Sequence, residues 1–182
     1  MMTPSELGAR ANDIAKDIEK IDKTDAMHEC CDVLRQQVTR EFALEQDPFG
    51  APWKQWYWSA SYPVSPHKTL QASGMLMASF VTQQAGHIER VDGNSLAFGS
   101  EVKYAGIHQD GATFRLGIWL FGRAGGVKRP GDMITIPARP IVGWPEDTIA
   151  ACGDIVAMAV MAEWHKEMPY EQPSEFADAN RL

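Results

Sequence analysis

The two ends of this chain carry apolar residues at helical spacing, whereas its middle is interrupted by glycine and proline. Ile14, Ile18 and Ile21 follow one helix face near the start, and residues 145–168 hold another long helical pattern. Residues 110–132 contain six glycines, which favour turns and loops over continuous helix. This distribution predicts an α+β fold, with N-terminal helices, a small antiparallel sheet, and a C-terminal helix packed on that sheet.

The N-terminal helices are predicted from start signals and an apolar stripe. Thr3, Pro4 and Glu6 are typical of a helix start, because they can form a cap, a first turn and a capping box. A second helix is expected from about Thr24, which we interpret as its cap, to the turn sequence at residues 47–50. Its apolar stripe consists of Met27, Cys31, Leu34, Val38 and Phe42.

Short elements are predicted for the region between the terminal helices. A helix at residues 69–80 would have Gly74 in its interior, where glycine costs roughly 1 kcal/mol against alanine. Residues 87–98 predict a hairpin that turns at an Asp-Gly pair, and residues 101–109 a short helix or turn. The aromatic residues 51–68 predict an irregular loop that packs onto the core.

Residues 110–136 predict a long glycine-rich and basic hairpin arm, with strands at 116–121 and 133–136. Our first interpretation is that this arm docks on an acidic partner surface. The alternative is that residues 115–129 bind nucleic acid, with bases stacking on an aromatic ring beside positive charges. The candidate contact residues are Arg115, Trp119, Arg123, Lys128 and Arg129. We expect one domain at residues 1–168 and an exposed tail at residues 169–182.

The charge is unevenly distributed along the chain. The net charge of −7 argues against broad binding to nucleic acid backbones. Acids outnumber bases by 11 to 6 in residues 1–47 and by 8 to 2 in residues 143–182, whereas residues 48–142 hold 9 bases and 5 acids. A basic middle between acidic ends would favour attraction between copies, although solvated helix surfaces are the simpler interpretation.

Signatures of catalysis, metal binding and membrane insertion are missing from the sequence. It has no phosphate-binding glycine loop, no Gly-x-Ser-x-Gly motif and no pair of histidines at helical spacing. The three cysteines, Cys30, Cys31 and Cys152, lack metal-type spacing, and we expect buried, reduced thiols. No apolar stretch would span a membrane and no signal peptide is visible, which suggests a cytoplasm-like compartment.

Two side chains invite a chemical interpretation. His108 could act as a general base near Asp110, but a histidine that locks a turn by hydrogen bonds is the simpler interpretation. Arg139 lies between Pro137 and Pro140, where it could hold a carboxylate or backbone carbonyl groups, and we interpret it as a structural anchor. The alternative to these structural roles is an enzyme, such as a metal-dependent hydrolase, that uses His108, Asp110 and Arg139.

Four segments of the chain resemble short motifs of a known protein family. They are residues 42–53 (FALEQDPFGAPW), 70–76 (LQASGML), 104–111 (YAGIHQDG) and 136–143 (IPARPIVG). In this order they resemble the motifs of the phage virion morphogenesis family, which includes tail completion proteins of contractile-tailed phages. The matching positions are Phe42, Pro48, Gly50, Trp53, Leu70, Gly74, Leu76, Tyr104, His108, Gln109, Gly111, Pro137, Arg139 and Pro140. The resemblance spans roughly residues 25–160, and it is interrupted at Asp110, Trp144 and the variable segment 112–132.

The resemblance implies a non-enzymatic assembly protein that acts late in building the tail or the joint between head and tail. It brings no catalytic residue, metal or cofactor, so the matching residues are expected to be fold and assembly positions. By analogy with tail architecture we expect a homo-oligomeric ring of six copies, in contact with other tail or neck proteins and with neither membrane nor specific nucleic acid. The expected location is the virion, after assembly in the host cytoplasm.

Overall fold

A computed structural model describes residues 3–54, 69–71, 73–82, 86–115, 117, 120–121, 127–128 and 130–167, with the backbone alone at 120–121 and 127–128. The predicted C-terminal tail and most of the predicted aromatic loop lie outside the described residues. Helices α1 to α5 are Pro4–Lys20, Thr24–Leu44, Met75–Val81, Ala105–Asp110 and Glu146–Glu167. Strands β1 to β6 are His87–Val91, Leu96–Ser100, Ala112–Arg115, Leu120–Phe121, Val127–Lys128 and Met133–Ile136. The predicted α+β class is confirmed.

Helix α1 begins as its sequence predicts. The N–H of Glu6 donates to the Thr3 hydroxyl at 3.3 Å, and the N–H of Thr3 donates to the Glu6 carboxylate at 2.7 Å, which completes a capping box. None of the helix residues is buried. Helix α1 therefore owes its local stability to its cap and to its own hydrogen bonds.

Helix α2 begins one residue earlier than expected, at a different kind of cap. Its N-cap is Lys23, without a side-chain hydrogen bond, whereas Thr24 is the first helical residue and its hydroxyl donates to Asp22 at 2.6 Å. The prediction of Thr24 as the cap is therefore wrong. The predicted stripe is otherwise correct, because Cys31, Leu34, Val38 and Phe42 are buried and Met27 is half-buried.

The hydrophobic core lies where α2, α3 and the segment after β6 meet. Phe42 and Trp53 pack edge to face, with ring centroids 5.2 Å apart. Helix α3 lies against α2 and against the hairpin of β1 and β2. The core cluster consists of Val38, Phe42, Trp53, Leu76, Phe80, Ala105 and Ile141.

Gly74 begins α3 and does not lie inside it. Its φ of 70° is left-handed, a conformation that glycine adopts without the penalty of a side chain, and Met75 starts the helix. Leu70 also has a positive φ, of 63°. The helix predicted at residues 69–80 is thus limited to Met75–Val81, because the chain turns at both of these positions first.

The described strands form three antiparallel pairs. Strands β1 and β2 form the predicted hairpin, and the Asp92 carboxylate accepts from the N–H of Asn94 and of Ser95 in its turn. Strand β3 pairs with β6, so that Ala112 lies opposite Ile136. Strand β4 pairs with β5.

The predicted pairing of residues 116–121 with Met133–Ile136 is wrong. The N–H of Arg139, which follows β6, donates to the carbonyl of His108, which precedes β3, at 2.6 Å. With that contact in place, the residues directly after Gly111 are the ones that reach Ile136 and its neighbours. The register is therefore set by the close approach of two chain segments, which periodicity does not reveal.

Helix α5 packs on α2, and not on the sheet as expected. The Thr148 hydroxyl donates to the Gln37 amide oxygen at 2.6 Å, and the Cys30 thiol lies 3.8 Å from the carbonyl oxygen of Cys152. The described strands form separate two-stranded ribbons, and α2 and α3 already cover the first of them.

Candidate functional site

The other three motif segments gather around the fourth, residues 136–143, which begins at the last residue of β6. The indole N–H of Trp53 donates to the carbonyl of Pro140 at 2.9 Å. The Nε of Arg139 donates to the carbonyl of Lys54 at 2.7 Å. The segment that begins at Phe42 therefore holds this stretch by two hydrogen bonds between a side chain and the backbone.

Gln109 supplies a second set of contacts to the same stretch. Its Nε2 donates to the carbonyl of Val142 at 2.8 Å, and its Oε1 accepts from the N–H of Ile141 at 2.8 Å and of Val142 at 3.1 Å. An amide side chain both donates and accepts, so it can stand in for the backbone of a neighbouring strand. Ile141, which is fully buried, thereby keeps its backbone N–H satisfied.

Close contacts explain two of the motif glycines, Gly111 and Gly143. Gly111 has a φ of 75°, and a Cβ atom there would lie 2.8 Å from the backbone nitrogen of Ala138. A Cβ atom on Gly143 would lie 3.0 Å from the ring of the buried Pro48. We call the arrangement of Trp53, Gln109, Gly111 and Arg139 around residues 136–143 the clamp.

The segment at residues 70–76 attaches to the clamp through the core. Leu76 is buried in the core cluster, and the half-buried Leu70 packs against it. The amide Nε2 of Gln71 donates to the carbonyl of Phe42 at 2.5 Å. Gly50, in the first segment, forms a turn with a φ of 84°.

The structure does not show the expected turn-locking hydrogen bond of His108, because its ring Nδ1 is buried without a hydrogen-bond partner among the described residues. Burial, and to a smaller extent the charge of Arg139, lowers the pKa of His108, and its ring meets Tyr104 edge to face with centroids 6.0 Å apart. The side chain of Arg139 is buried and holds a backbone carbonyl, as predicted for a structural anchor. Asp110 is exposed at the end of α4.

Cys31 and Cys152 are protonated at neutral pH. Burial raises the pKa of the Cys31 thiol to about 11 and that of Cys152 to about 12. Cys30 and Cys31 are buried as expected, whereas Cys152 is half-buried, and all three thiols are free. In the part of the chain that the structure describes, no cluster of three or more histidine, cysteine, aspartate or glutamate side chains is arranged to hold a metal ion.

The predicted arm residues are only partly described. Arg115 is exposed at the end of β3, opposite Met133, and Lys128 lies in β5, where its backbone pairs with Leu120. Trp119, Arg123 and Arg129 lie outside the described residues. The role of the arm therefore stays a prediction.

Helix α2 carries a buried pair of polar side chains, Gln37 and Glu41, that the sequence analysis did not predict. Glu41 is fully buried, and its Oε1 accepts from the Gln37 amide at 2.8 Å, while its Oε2 finds no partner among the described residues. Burial raises the pKa of Glu41 to about 7. The available signal was spacing, because Gln37 and Glu41 follow Leu34 in steps of three and four residues, on the apolar stripe itself.

The helices were checked for membrane spans, and the chain was compared with protein families, curated proteins and solved structures. Within the described residues, no helix has the length and apolar character needed to cross a membrane. The profile of the Phage virion morphogenesis family matches residues 6–161. No curated protein and no solved structure matches the chain.

Proposed function

Because this chain belongs to the phage virion morphogenesis family, we propose that it acts in tail completion or in joining the phage head to the tail. Membership of the family establishes the broader role, a structural protein in the assembly of phage particles. The clamp supports a structural role, since all four motif segments bind or pack against the chain's own backbone and core. In this proposal the protein assembles without chemical turnover and takes no cofactor.

The proposed active form is a homo-oligomeric ring in the tail or neck of the virion, built in the host cytoplasm. Six copies is the number suggested by analogy with tail architecture. Each sheet has two strands, and the outer edges of β3 and β6 have no strand partner among the described residues. Such edges can add a strand from a neighbour, which supports contacts between copies or with other tail or neck proteins.

Particles produced without this protein test the proposed role. We expect heads and tails that fail to form joined, infective particles, and expression of the intact chain from a plasmid should restore them. Electron microscopy and plaque counts are the measurements. Joined and infective particles in the absence of the protein would contradict the proposal.

A further inference from the structure

Helix α1 carries an apolar stripe that the rest of the described chain leaves uncovered. Leu7, Ala11, Ile14 and Ile18 follow one another in steps of four, three and four residues, which is the spacing of a coiled-coil seam. The exposed fractions are 63% for Leu7 and 39% for Ile14. Stripes of this kind are narrow and fit one facing helix.

The junction after α1 fixes the direction in which this helix leaves the body. The Lys23 ammonium donates to the carbonyls of Ile18 and Ile21, at 3.0 and 2.8 Å, and to the Asn94 side chain at 3.1 Å. Ile21 and Lys23 are both buried. These contacts tie the end of α1 to the β1–β2 hairpin, and in this orientation the described part of the chain buries none of the residues of α1.

The outer face of α5 is a second uncovered apolar surface. Thr148 and other residues on one side of α5 are buried or half-buried against α2, whereas Asp154 is the one charged residue among the exposed positions from Ile149 to Ala162. The exposed fractions are 54% for Ile149, 65% for Met158 and 55% for Met161. The exposed apolar or small residues are Ile149, Ala150, Gly153, Ala157, Met158, Met161 and Ala162.

The two surfaces are complementary in length, shape and charge. At 1.5 Å per residue, Leu7 to Ile18 and Ile149 to Met161 each span about 17–18 Å. Gly153 and Ala157 leave room beside Asp154 and Met158 for the branched side chains of α1. Arg10 lies beside the α1 stripe, and its charge is opposite to that of Asp154.

We propose that α1 of one copy packs along the outer face of α5 of a second copy. The two surfaces differ, so the contact is head-to-tail, and a closed ring would cover both surfaces on every copy. This inference rests on the self-association in the proposed function, and it names the residues that mediate it.

Glutamates on the two helices test the contact in the full-length chain. We expect Leu7→Glu with Ile14→Glu, and separately Met158→Glu with Met161→Glu, to raise the dissociation constant of self-association by about 100-fold or more, because each pair removes two buried apolar side chains. Both pairs are exposed in the single chain, so thermal melting of the monomer should change little. Light scattering after size-exclusion chromatography measures the assembly.

A matched control places the same charges on the other side of α1. Ala9→Glu with Asn12→Glu adds two acids away from the stripe, and it should leave assembly within a factor of about 3 of the parent chain. Assembly that is equally weak in the control, or unchanged in both test pairs, would overturn the inference.

Cross-linking identifies which surfaces meet. A chain with Ile14→Cys and a separate chain with Met158→Cys are mixed and treated with a short bismaleimide, beside each chain alone and the parent chain. A cross-linked dimer found in the mixture alone supports the contact, whereas a dimer of Ile14→Cys with itself would show that α1 pairs with α1.

The outcomes separate this inference from the proposed function. A self-associated chain that is unaffected by both glutamate pairs overturns the α1–α5 contact and leaves the role in assembly standing. A chain that stays monomeric at 100 µM overturns the ring and the contact together, and particle formation without the protein then decides its role.

Discussion

Side-chain hydrogen bonds to the backbone position residues 136–143. This stretch contains Pro137 and Pro140, which cannot donate a backbone hydrogen bond and which exclude it from the interior of a sheet. Trp53, Gln109 and Arg139 bind backbone groups at this site in place of a strand. These three motif residues therefore each have a structural role in holding the backbone.

Gly111→Ala should destabilise the protein by roughly 2–3 kcal/mol, because alanine would be both strained at positive φ and in collision with the backbone. Its Cβ would lie 2.8 Å from the nitrogen of Ala138. Gly106→Ala is the matched control, since no atom lies within 4 Å of a Cβ there and the residue is helical. Urea unfolding should show a lower free energy of unfolding for Gly111→Ala and a free energy higher by up to about 1 kcal/mol for Gly106→Ala. Equal stabilities would contradict this account of the clamp.

Glu41 should make the protein less stable as the pH rises from about 4.5 to about 7. Its pKa is raised from 4.5 to about 7 in the folded state, so the folded chain holds a proton that the unfolded chain has released. A shift of this size corresponds to about 3 kcal/mol of unfolding free energy, present below pH 4.5 and lost by pH 7.

The variant Glu41→Gln should lack this pH dependence, so its free energy of unfolding should increase relative to that of the parent chain as the pH rises. His108, whose pKa is lowered by burial, titrates in both proteins, so the difference between them isolates Glu41. Urea unfolding at pH 5, 6, 7 and 8 is the measurement. Parallel pH profiles for the two proteins would show that Glu41 is not the titrating group.

At the scale of elements, each helix has a different relation to the core. Helix α2 is central and contacts α3, α5 and the hairpin of β1 and β2. Helix α5 packs by one side, and α1 buries none of its residues. The helices at the two ends of the chain are therefore the ones with surface to spare for a partner.

The basic arm is an element whose role a charge reversal can test. We expect Arg123→Glu, Lys128→Glu and Arg129→Glu together to weaken assembly more than folding, because the arm would dock on an acidic surface of a neighbour. Reversal of Lys54, Arg90 and Lys103, which are exposed elsewhere, is the matched control for net charge. Light scattering and thermal melting at physiological salt give the two readouts.

Unchanged assembly of the arm variant would contradict the docking role of the arm. The arm's alternative role, nucleic-acid binding, makes a separate prediction, since binding of the parent chain to DNA would weaken steeply with added salt. A flat DNA titration at low salt would exclude that alternative.

At the scale of the whole molecule, a tightly packed unit is flanked by two helices with exposed apolar faces. The clamp and the core cluster join α2, α3, α4 and the stretch after β6 into one unit. The apolar faces of α1 and α5 point away from that unit. A protein of virion assembly needs such surfaces, because its function is carried by contacts with neighbouring molecules.

Local signals in the sequence determined much of this structure. A capping box predicted the start of α1, apolar spacing predicted α2 and α5, and an Asp-Gly pair predicted the hairpin of β1 and β2. Four motif segments predicted the family, and the position of Arg139 between two prolines predicted an anchor. These features depend on residues close together in the chain, so one sequence is enough to recognise them.

Contacts between distant residues were decided by the tertiary structure alone. The pairing of β3 with β6, the packing of α5 on α2 and the burial of Glu41 each depend on which segments approach one another. The same is true of α1, whose stripe has the spacing of a buried helix and yet stays exposed. Periodicity shows which face of a helix is apolar, but whether anything covers that face depends on the rest of the fold and on its neighbours.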